Sequence, residues 1–437
     1  MAVRAGVLCA LFLGAAIFPA LSRADKTNQQ ILDIRKLGKK DSQAIPELAQ
    51  YLSDPNPDIR AEAARSIVKI GTDRSLEPLV KATQDKDANI QILATDGIVN
   101  FYLPGYVSNG LLSHPLSRGV KEVKQLFSVR SRLEIPAEIT VRTDVQEALA
   151  NEVAHAASVE ARANAARAAG ILRDGAAVAA LSQALQSKDT VLILESLYAL
   201  QKIRDLSAGP AAGFLVRDLD DKVQLAALET VGLLHSEQSA AAVRSVFQNP
   251  RNDKAKRAAF QALALLAVPA DRALFQQYAT DKDTSIRAAA IEGLGRVRAP
   301  EDTPLLDSAF NEPNADWRIH LAAAFALVNE GKVDTGEFSP LRFLMENLDQ
   351  SGRDVTAQAY LTEVCHRDTV RKAVYSLLPD LTASQKIALC RILASTHAPD
   401  VIPVLNGLAK DPNPDVSLAA TKSLTVAQRE QTPATTQ

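Results

Sequence analysis

The chain has 437 residues, a formal net charge of −2, 47% apolar residues and 5% aromatic ones. An apolar share that high excludes a disordered chain. The near-neutral charge lacks the basic domain or stripe that nucleic-acid binding usually requires, so no nucleic-acid partner is expected.

Residues 1–24 read as a secretory signal peptide. Arg4 supplies the positive start, and an apolar run of 17 residues follows from Ala5 to Leu21. Ser22-Arg23-Ala24 then places small residues at both recognition positions of a signal peptidase, with the cut expected between Ala24 and Asp25. The rival is an uncleaved anchor, but the run is alanine-rich, contains Pro19 and falls short of the ~20 apolar residues that span a bilayer. Cys9 lies inside the run and makes a poor lipoprotein cysteine. Cleavage removes Arg4 and Arg23 and no acid, which takes the mature charge from −2 to −4. A periplasmic or secreted protein is expected, with no transmembrane segment after cleavage.

Residues 25–103 open the repeats. Ile45, Leu48, Ala49 and Leu52 form one apolar helical stripe. Asp54-Pro55-Asn56-Pro57-Asp58 breaks it, because proline cannot continue a helix and Asp and Asn favour turns and N-caps. Ile59, Ala63, Ile67 and Ile70 mark a second stripe, and Gly71 is a plausible C-cap. The turn returns as Asp281-Lys282-Asp283-Thr284-Ser285-Ile286-Arg287 and, nearly letter for letter, as Asp411-Pro412-Asn413-Pro414-Asp415-Val416. Three apolar ladders set the period. The first runs Leu48, Leu79, Ala150, Leu181, Ala212, Val243, Leu274, Leu305; the second Ile59, Ile90, Ala161, Leu192, Val223, Ala255, Ile286, Trp317; the third Ile70, Phe101, Leu172, Ile203, Leu234, Leu266, Val297, Val328. Nearly every step is 31 or 32 residues, and all three ladders share one step of 71. A unit of this size cannot bury its own apolar face, so stacked units must share one core.

The pattern of turn Asp, apolar-Arg and Ala-x-x-Ala resembles HEAT-like repeats of the short type first named in phycobilisome lyases. Asp58-Ile59-Arg60 with Ala63-Ala64, Ala161-Arg162 with Ala165-Ala166, and Ile286-Arg287 with Ala289-Ala290 carry it. The resemblance is good over 42–103 and 143–330, weaker over 331–400, and recovers at 400–427. It implies an all-α solenoid of about eleven stacked helix–turn–helix repeats, an exported bacterial member of a family that mostly scaffolds interactions.

The oversized step places an insertion at 104–142. Pro104-Gly105-Tyr106 ends the second repeat, Asn109 to Phe127 has helical spacing, and Ser128 to Arg142 alternates, which favours a strand or hairpin around Pro136. Lys121, Lys124, Arg130 and Arg132 make it basic. Partner contact and a staple between the two repeat blocks stand side by side as its role. Central repeats follow over 143–330, divergent ones over 331–428, and 429–437 read as a flexible tail.

Chemistry-bearing patterns are sparse. The six histidines are scattered, without the convergent spacing of a metal site. There is no His-Glu dipeptide of the kind iron-binding HEAT-repeat hydroxylases carry, and no nucleophile elbow, Walker loop or dinucleotide loop. Gly293-Leu294-Gly295 reads as the small face of a repeat helix. No cofactor, metal or catalytic residue is assigned, and the lyase activity in the family's name is not expected. Cys365 and Cys390 remain after cleavage; a 31-residue register offsets them along their helices, so buried thiols are favoured over a disulfide. Arg60, Arg162, Arg257 and Arg287 recur near the starts of second helices, where tying repeat to repeat is favoured over ligand binding.

The family resemblance puts second helices on the concave face. Positions three, six and ten after the second ladder would face outward: Arg65, Lys69, Arg167, Tyr198, Lys202, Glu229, Glu292 and Arg296 are the candidate partner-binding residues, together with the four basic residues of the insertion. Leu233, Leu265 and Leu327 share one position and form either an apolar strip or core. The expected function is a non-enzymatic scaffold or adaptor in the cell envelope that binds protein or peptide. Its alternatives are a regulatory accessory subunit of an envelope enzyme, and an enzyme with a site at the insertion.

Overall fold

Two consecutive Asx turns start five of the described second helices. Asp54 Oδ1 accepts from Asn56 N–H, and Asn56 Oδ1 in turn accepts from Asp58 N–H at 2.9 Å. The same relay runs through Asp85 and Asp87, Asp218 and Asp220, Asp281 and Asp283, and Asp411 and Asn413. The D-x-[D/N] spacing therefore ends one helix and caps the next by satisfying orphan backbone donors.

In the computed structural model these turns join helices in pairs. The described residues are 18–107 and 133–429, with side chains from Lys26 onward. Among them, eleven helix pairs run from Ile45–Tyr51 with Pro57–Ile70 to Val401–Leu408 with Pro414–Arg429. No strand occurs among the described residues. The molecule is an all-α solenoid, as the ladders require. The divergent stretch keeps the pattern, with pairs Pro340–Glu346 and Asp354–Val364, then Asp368–Leu377 and Ala383–Ala394. Arg429 closes the last helix, so only residues 430–437 of the expected tail lie outside the described residues. The helix Phe18–Leu37 precedes the first pair and runs through the expected cleavage point at Ala24 and Asp25. Its buried residues Ile34 and Leu37 lie beyond that point. Among the described residues, no helix is long and apolar enough to cross a membrane.

The chain divides into two compact units. One comprises Met1–Ile135 and Val141–Ile203, the other Pro136–Thr140 and Arg204–Gln437. This boundary falls within the expected block 143–330. Four helix pairs belong to the N-terminal unit and seven to the C-terminal one.

Burial follows the second ladder closely, from Ile59 at 2% exposure to Ile286 at 3%. Trp317 is the half-buried exception: its ring carries the guanidinium of Arg318 at 4.6 Å and that of Arg353 at 5.9 Å. The first ladder needs a correction. Leu149, Phe275 and Leu306 are buried where Ala150, Leu274 and Leu305 were expected. First helices are short, and a connection one residue longer or shorter slips their register by one.

Small residues set the spacing of second helices. A side chain at Gly295 would sit 2.5 Å from the Ala326 Cα of the next second helix. The Gly293-Leu294-Gly295 run is thus a close-packing face, as read from the sequence. Several second helices end on a left-handed residue that is not glycine, including Ala267 at φ 50° and Arg298 at φ 59°. Such a conformation costs an alanine on the order of 1–3 kcal/mol, part of which glycine loses again as chain entropy. Ala267→Gly is expected to raise stability by about 1 kcal/mol. Urea denaturation checks this, and an unchanged or lower midpoint would refute it.

The turn arginines tie repeats together. Arg60 donates to both carboxylate oxygens of Asp85 in the next repeat, at 2.7 and 2.9 Å, and to the carbonyls of Asp54 and Pro55. Arg257 reaches Asp283, and Arg287 reaches Glu312 and the Ala279 carbonyl. Arg162 is the exception: it donates to the Val153 carbonyl on the first helix of its own repeat. The carboxylate partner comes from the following turn; Asp54 contributes only its backbone oxygen to Arg60.

The expected strand or hairpin around Pro136 does not form over 133–142. Pro136 has no N–H to give a ladder. The Ile135 N–H donates instead to the Ile171 carbonyl at a helix end, and Ile139 N–H closes a turn onto Pro136. The expected helix at 109–127 lies outside the described residues, as do Lys121, Lys124, Arg130 and Arg132. Cys365 and Cys390 are unpaired thiols, both fully buried. Burial pushes them up to about 12 and about 11.

Candidate binding surface

A second helix exposes what its neighbours leave uncovered, so each row must be followed from helix to helix. In the N-terminal unit the row six residues after the second ladder holds Arg65, Asp96, Arg167 and Tyr198. Arg65 is exposed, as is Lys69 one turn on. Arg65 approaches Glu62 at 3.5 Å, while Glu62 takes its shorter bond, 2.9 Å, from Arg35 of the preceding helix. Asp96 accepts from Asn164 at 3.1 Å. Arg167 donates to Glu195 on the next second helix at 2.6 Å and to Asn164 at 3.2 Å. Its side chain is only 13% exposed. Burial opposes its charge, but Glu195 more than compensates and holds it above the ordinary arginine range. Tyr198 is half-buried and engaged.

Lys202 also works inside the protein. It donates to the Leu133 carbonyl at 2.9 Å, while Arg173 donates to the Ile135 carbonyl at 2.5 Å. Two basic side chains near the C-terminal ends of second helices thus grip the backbone of the insertion's returning arm. Burial lowers the Lys202 ammonium.

In the C-terminal unit the same row reads Glu229, Gln261, Glu292 and Ala323. Gln261 donates to Glu292 at 2.9 Å, and Tyr360 donates its hydroxyl to the same carboxylate oxygen at 3.0 Å. Arg296 pairs with Glu292 on its own helix and makes a forked contact with Glu363 at 2.7 and 3.0 Å. Its guanidinium lies 4.8 Å from the Phe325 ring centroid, and Phe325 stacks on Tyr360 at 4.5 Å. Burial opposes the Arg296 charge, but Glu292 and Glu363 hold it above the usual arginine range. Thr284–Val297 is thereby linked to Asp354–Val364, two repeats on, over the alanines of Trp317–Glu330. Glu292 and Arg296 are therefore bound within the protein.

Glu229 is the contrast. It is exposed, yet protein atoms surround it closely enough for desolvation to raise its carboxyl, with the charge of Arg204 offsetting part of the effect. Leu233 and Leu265 are half-buried, whereas Leu327 is fully buried, so of the two readings Leu327 takes the core one.

Other polar residues converge where the ladders gave no signal. Tyr360 and Glu363 lie past the last ladder residue. Thr95 and Glu152 meet in the N-terminal core with Oγ1 and Oε2 2.5 Å apart, and Glu152 Oε1 has no partner. Glu152 sits on a first helix, away from the rows. Among the described residues, no three His, Cys, Asp or Glu side chains gather as metal ligands.

Paired helices with this turn chemistry define an α-solenoid repeat protein. Its repeats are HEAT-like, and a family model described as HEAT repeats matches residues 15–98 and 248–327. Solved structures similar to the chain include the CpcE–CpcF complex of phycocyanin lyase from Nostoc sp. PCC7120, at 16% identity and TM-score 0.33, covering 66% of this chain and 94% of that one. Importin beta is similar at 14% identity and TM-score 0.35, over 93% of this chain and 71% of its own. Human deoxyhypusine hydroxylase, in complex with glycerol, is similar at 17% identity and TM-score 0.25, over 65% and 96%. No protein of curated function matches the chain.

Proposed function

We propose that the protein is a non-enzymatic scaffold of the cell envelope that binds a protein or peptide through its second-helix face. The observation that carries this reading is how the charged side chains are used. Arg167, Lys202, Glu292 and Arg296 hold helices or the insertion arm together. Arg65 and Lys69 in the N-terminal unit, and Glu229 in the C-terminal one, remain exposed at row positions. A preformed array of spaced contacts suits an extended macromolecular partner and gives no centre for bond-making chemistry. HEAT-like solenoids are typically protein-binding scaffolds. The envelope location rests on the N-terminal sequence alone.

The test is photocrosslinking in the cells of origin, with a benzophenone amino acid at Arg65 or Lys69 and, as control, at Glu47 and Glu77 on first helices. One protein crosslinked from the second-helix positions and absent from the controls is the expected result. Equal labelling from both faces, or none, would overturn the reading. N-terminal sequencing of the same protein checks cleavage before Asp25.

A further inference from the structure

The row six residues past the second ladder is a series of bridges. In the C-terminal unit Gln261 and Glu292 are hydrogen-bonded to each other, and Glu292 also holds Arg296 and Tyr360. Ala323 has nothing to pair. Glu229 alone in that row carries a charge that no hydrogen bond or salt bridge meets among the described residues; the nearby charge acting on it is Arg204. Two leucines lie on the same side. Leu233, one turn along the same helix Asp221–Leu233, is half-buried and shares its face. Between them Gly232 has no side chain, and Leu265 of the next second helix fills that space, its Cδ1 lying 3.0 Å from where a Gly232 Cβ would stand. Leu265 is likewise half-buried. An exposed carboxylate beside two partly uncovered leucines is complementary to an aliphatic stem that ends in a positive charge. The stem covers the leucines, and the charged head meets a carboxylate that neighbouring protein has already partly stripped of water.

We propose that Glu229 is the anchor for a lysine or arginine side chain of the bound protein or peptide, whose methylene stem packs on Leu233 and Leu265. This rests on the peptide-binding reading above and specifies the chemistry of its partner. Arg204 sets a further condition: it repels a second cation close by, so one basic residue flanked by apolar ones fits better than a polybasic run.

The experiment selects a phage-displayed library of random dodecapeptides against the full chain, then measures the recovered peptides by fluorescence polarisation on wild type and on Glu229→Gln. Glu229 is exposed, so the glutamine protein should fold, and circular dichroism confirms it. Recovered peptides should share one Lys or Arg among apolar residues. They should lose affinity about tenfold on Glu229→Gln, and equally when that residue becomes norleucine. Peptides that bind wild type and Glu229→Gln alike, or that carry no basic residue, would overturn the Glu229 anchor while leaving the peptide-binding reading intact. Recovery of no peptide above background would count against both. Leu265→Ser should weaken the same peptides without altering their requirement for a basic residue; an unaltered affinity would overturn the seat assigned to the stem.

Discussion

Arg296→Ala should destabilise the C-terminal compact unit by about 3–5 kcal/mol, the usual loss when one partner of a buried ion pair is removed. The guanidinium is 8% exposed and meets two carboxylates from helices two repeats apart. Removing it strands the buried Glu292 carboxylate with only Gln261 and Tyr360 as donors, and it empties the space beside Phe325. A loss of this size is a large fraction of a domain's marginal stability. Trp317 is the chain's single tryptophan and belongs to the affected unit, so its fluorescence reports the transition directly. Arg296→Lys should recover only part of the loss, because an ammonium cannot make the forked contact with Glu363 while holding Glu292. A midpoint within about 1 kcal/mol of wild type for the alanine variant, the range of an ordinary exposed ion pair, would show that the link is incidental. The contact also modifies the usual energetics of repeat stacks. Nearest-neighbour terms normally suffice for a solenoid, but here one repeat is coupled to its second neighbour, and opening one interface should loosen the next.

Much of the fold was legible because it rests on short-range rules. The D-x-[D/N] turns, the alanine-rich second helices and the 31-residue step each act within one or two repeats, and together they give helix pairs in the right places. The slips are equally local. Ala150, Leu274 and Leu305 were expected in the core because a fixed period cannot see a connection one residue longer or shorter; Leu149, Phe275 and Leu306 took those positions. The strand expected near Pro136 failed because alternation in a sequence does not supply a partner, and the available acceptor was the Ile171 carbonyl. The surface was less legible than the core. A row position states which way a side chain leaves its helix and leaves open what meets it. Arg167 and Arg296 hold the same register positions on their helices as Arg65 and Lys69 do on theirs, yet Glu195 and Glu363 claim the first two. Those acids lie 28 and 67 residues from the arginines they bind, beyond any within-repeat pattern. Glu229 stands out only when the whole row is followed and its neighbours are found already paired.

The same distance-blind reading missed Glu152, whose behaviour gives the second large effect. Its carboxyl is 1% exposed, one oxygen is 2.5 Å from the Thr95 hydroxyl, and the other has no partner. Burial is the main cause that pushes it up to about 8, and the charge of Asp96 adds to the rise. An acid whose folded pKa lies above its unfolded value stabilises the fold fully below the unfolded pKa, near 4.5, and loses that contribution as pH rises toward 8. The linkage amounts to about 4 kcal/mol by pH 8. Other carboxylates with the opposite sense, such as Asp85 beside Arg60, gain over the acid end of the range, so the raw stability curve mixes the two. The difference between wild type and Glu152→Gln isolates the one group, because the amide keeps the shape and an oxygen for Thr95 but cannot ionise. Urea denaturation followed by far-ultraviolet circular dichroism at pH 5 and pH 8 should show the glutamine variant gaining on wild type as pH rises. Parallel behaviour at the two pH values would mean that Glu152 ionises in place without cost. The pair joins Ala88–Tyr102 to Thr143–His155, the helices on either side of the insertion. The loss at high pH should therefore fall on that junction of the N-terminal unit.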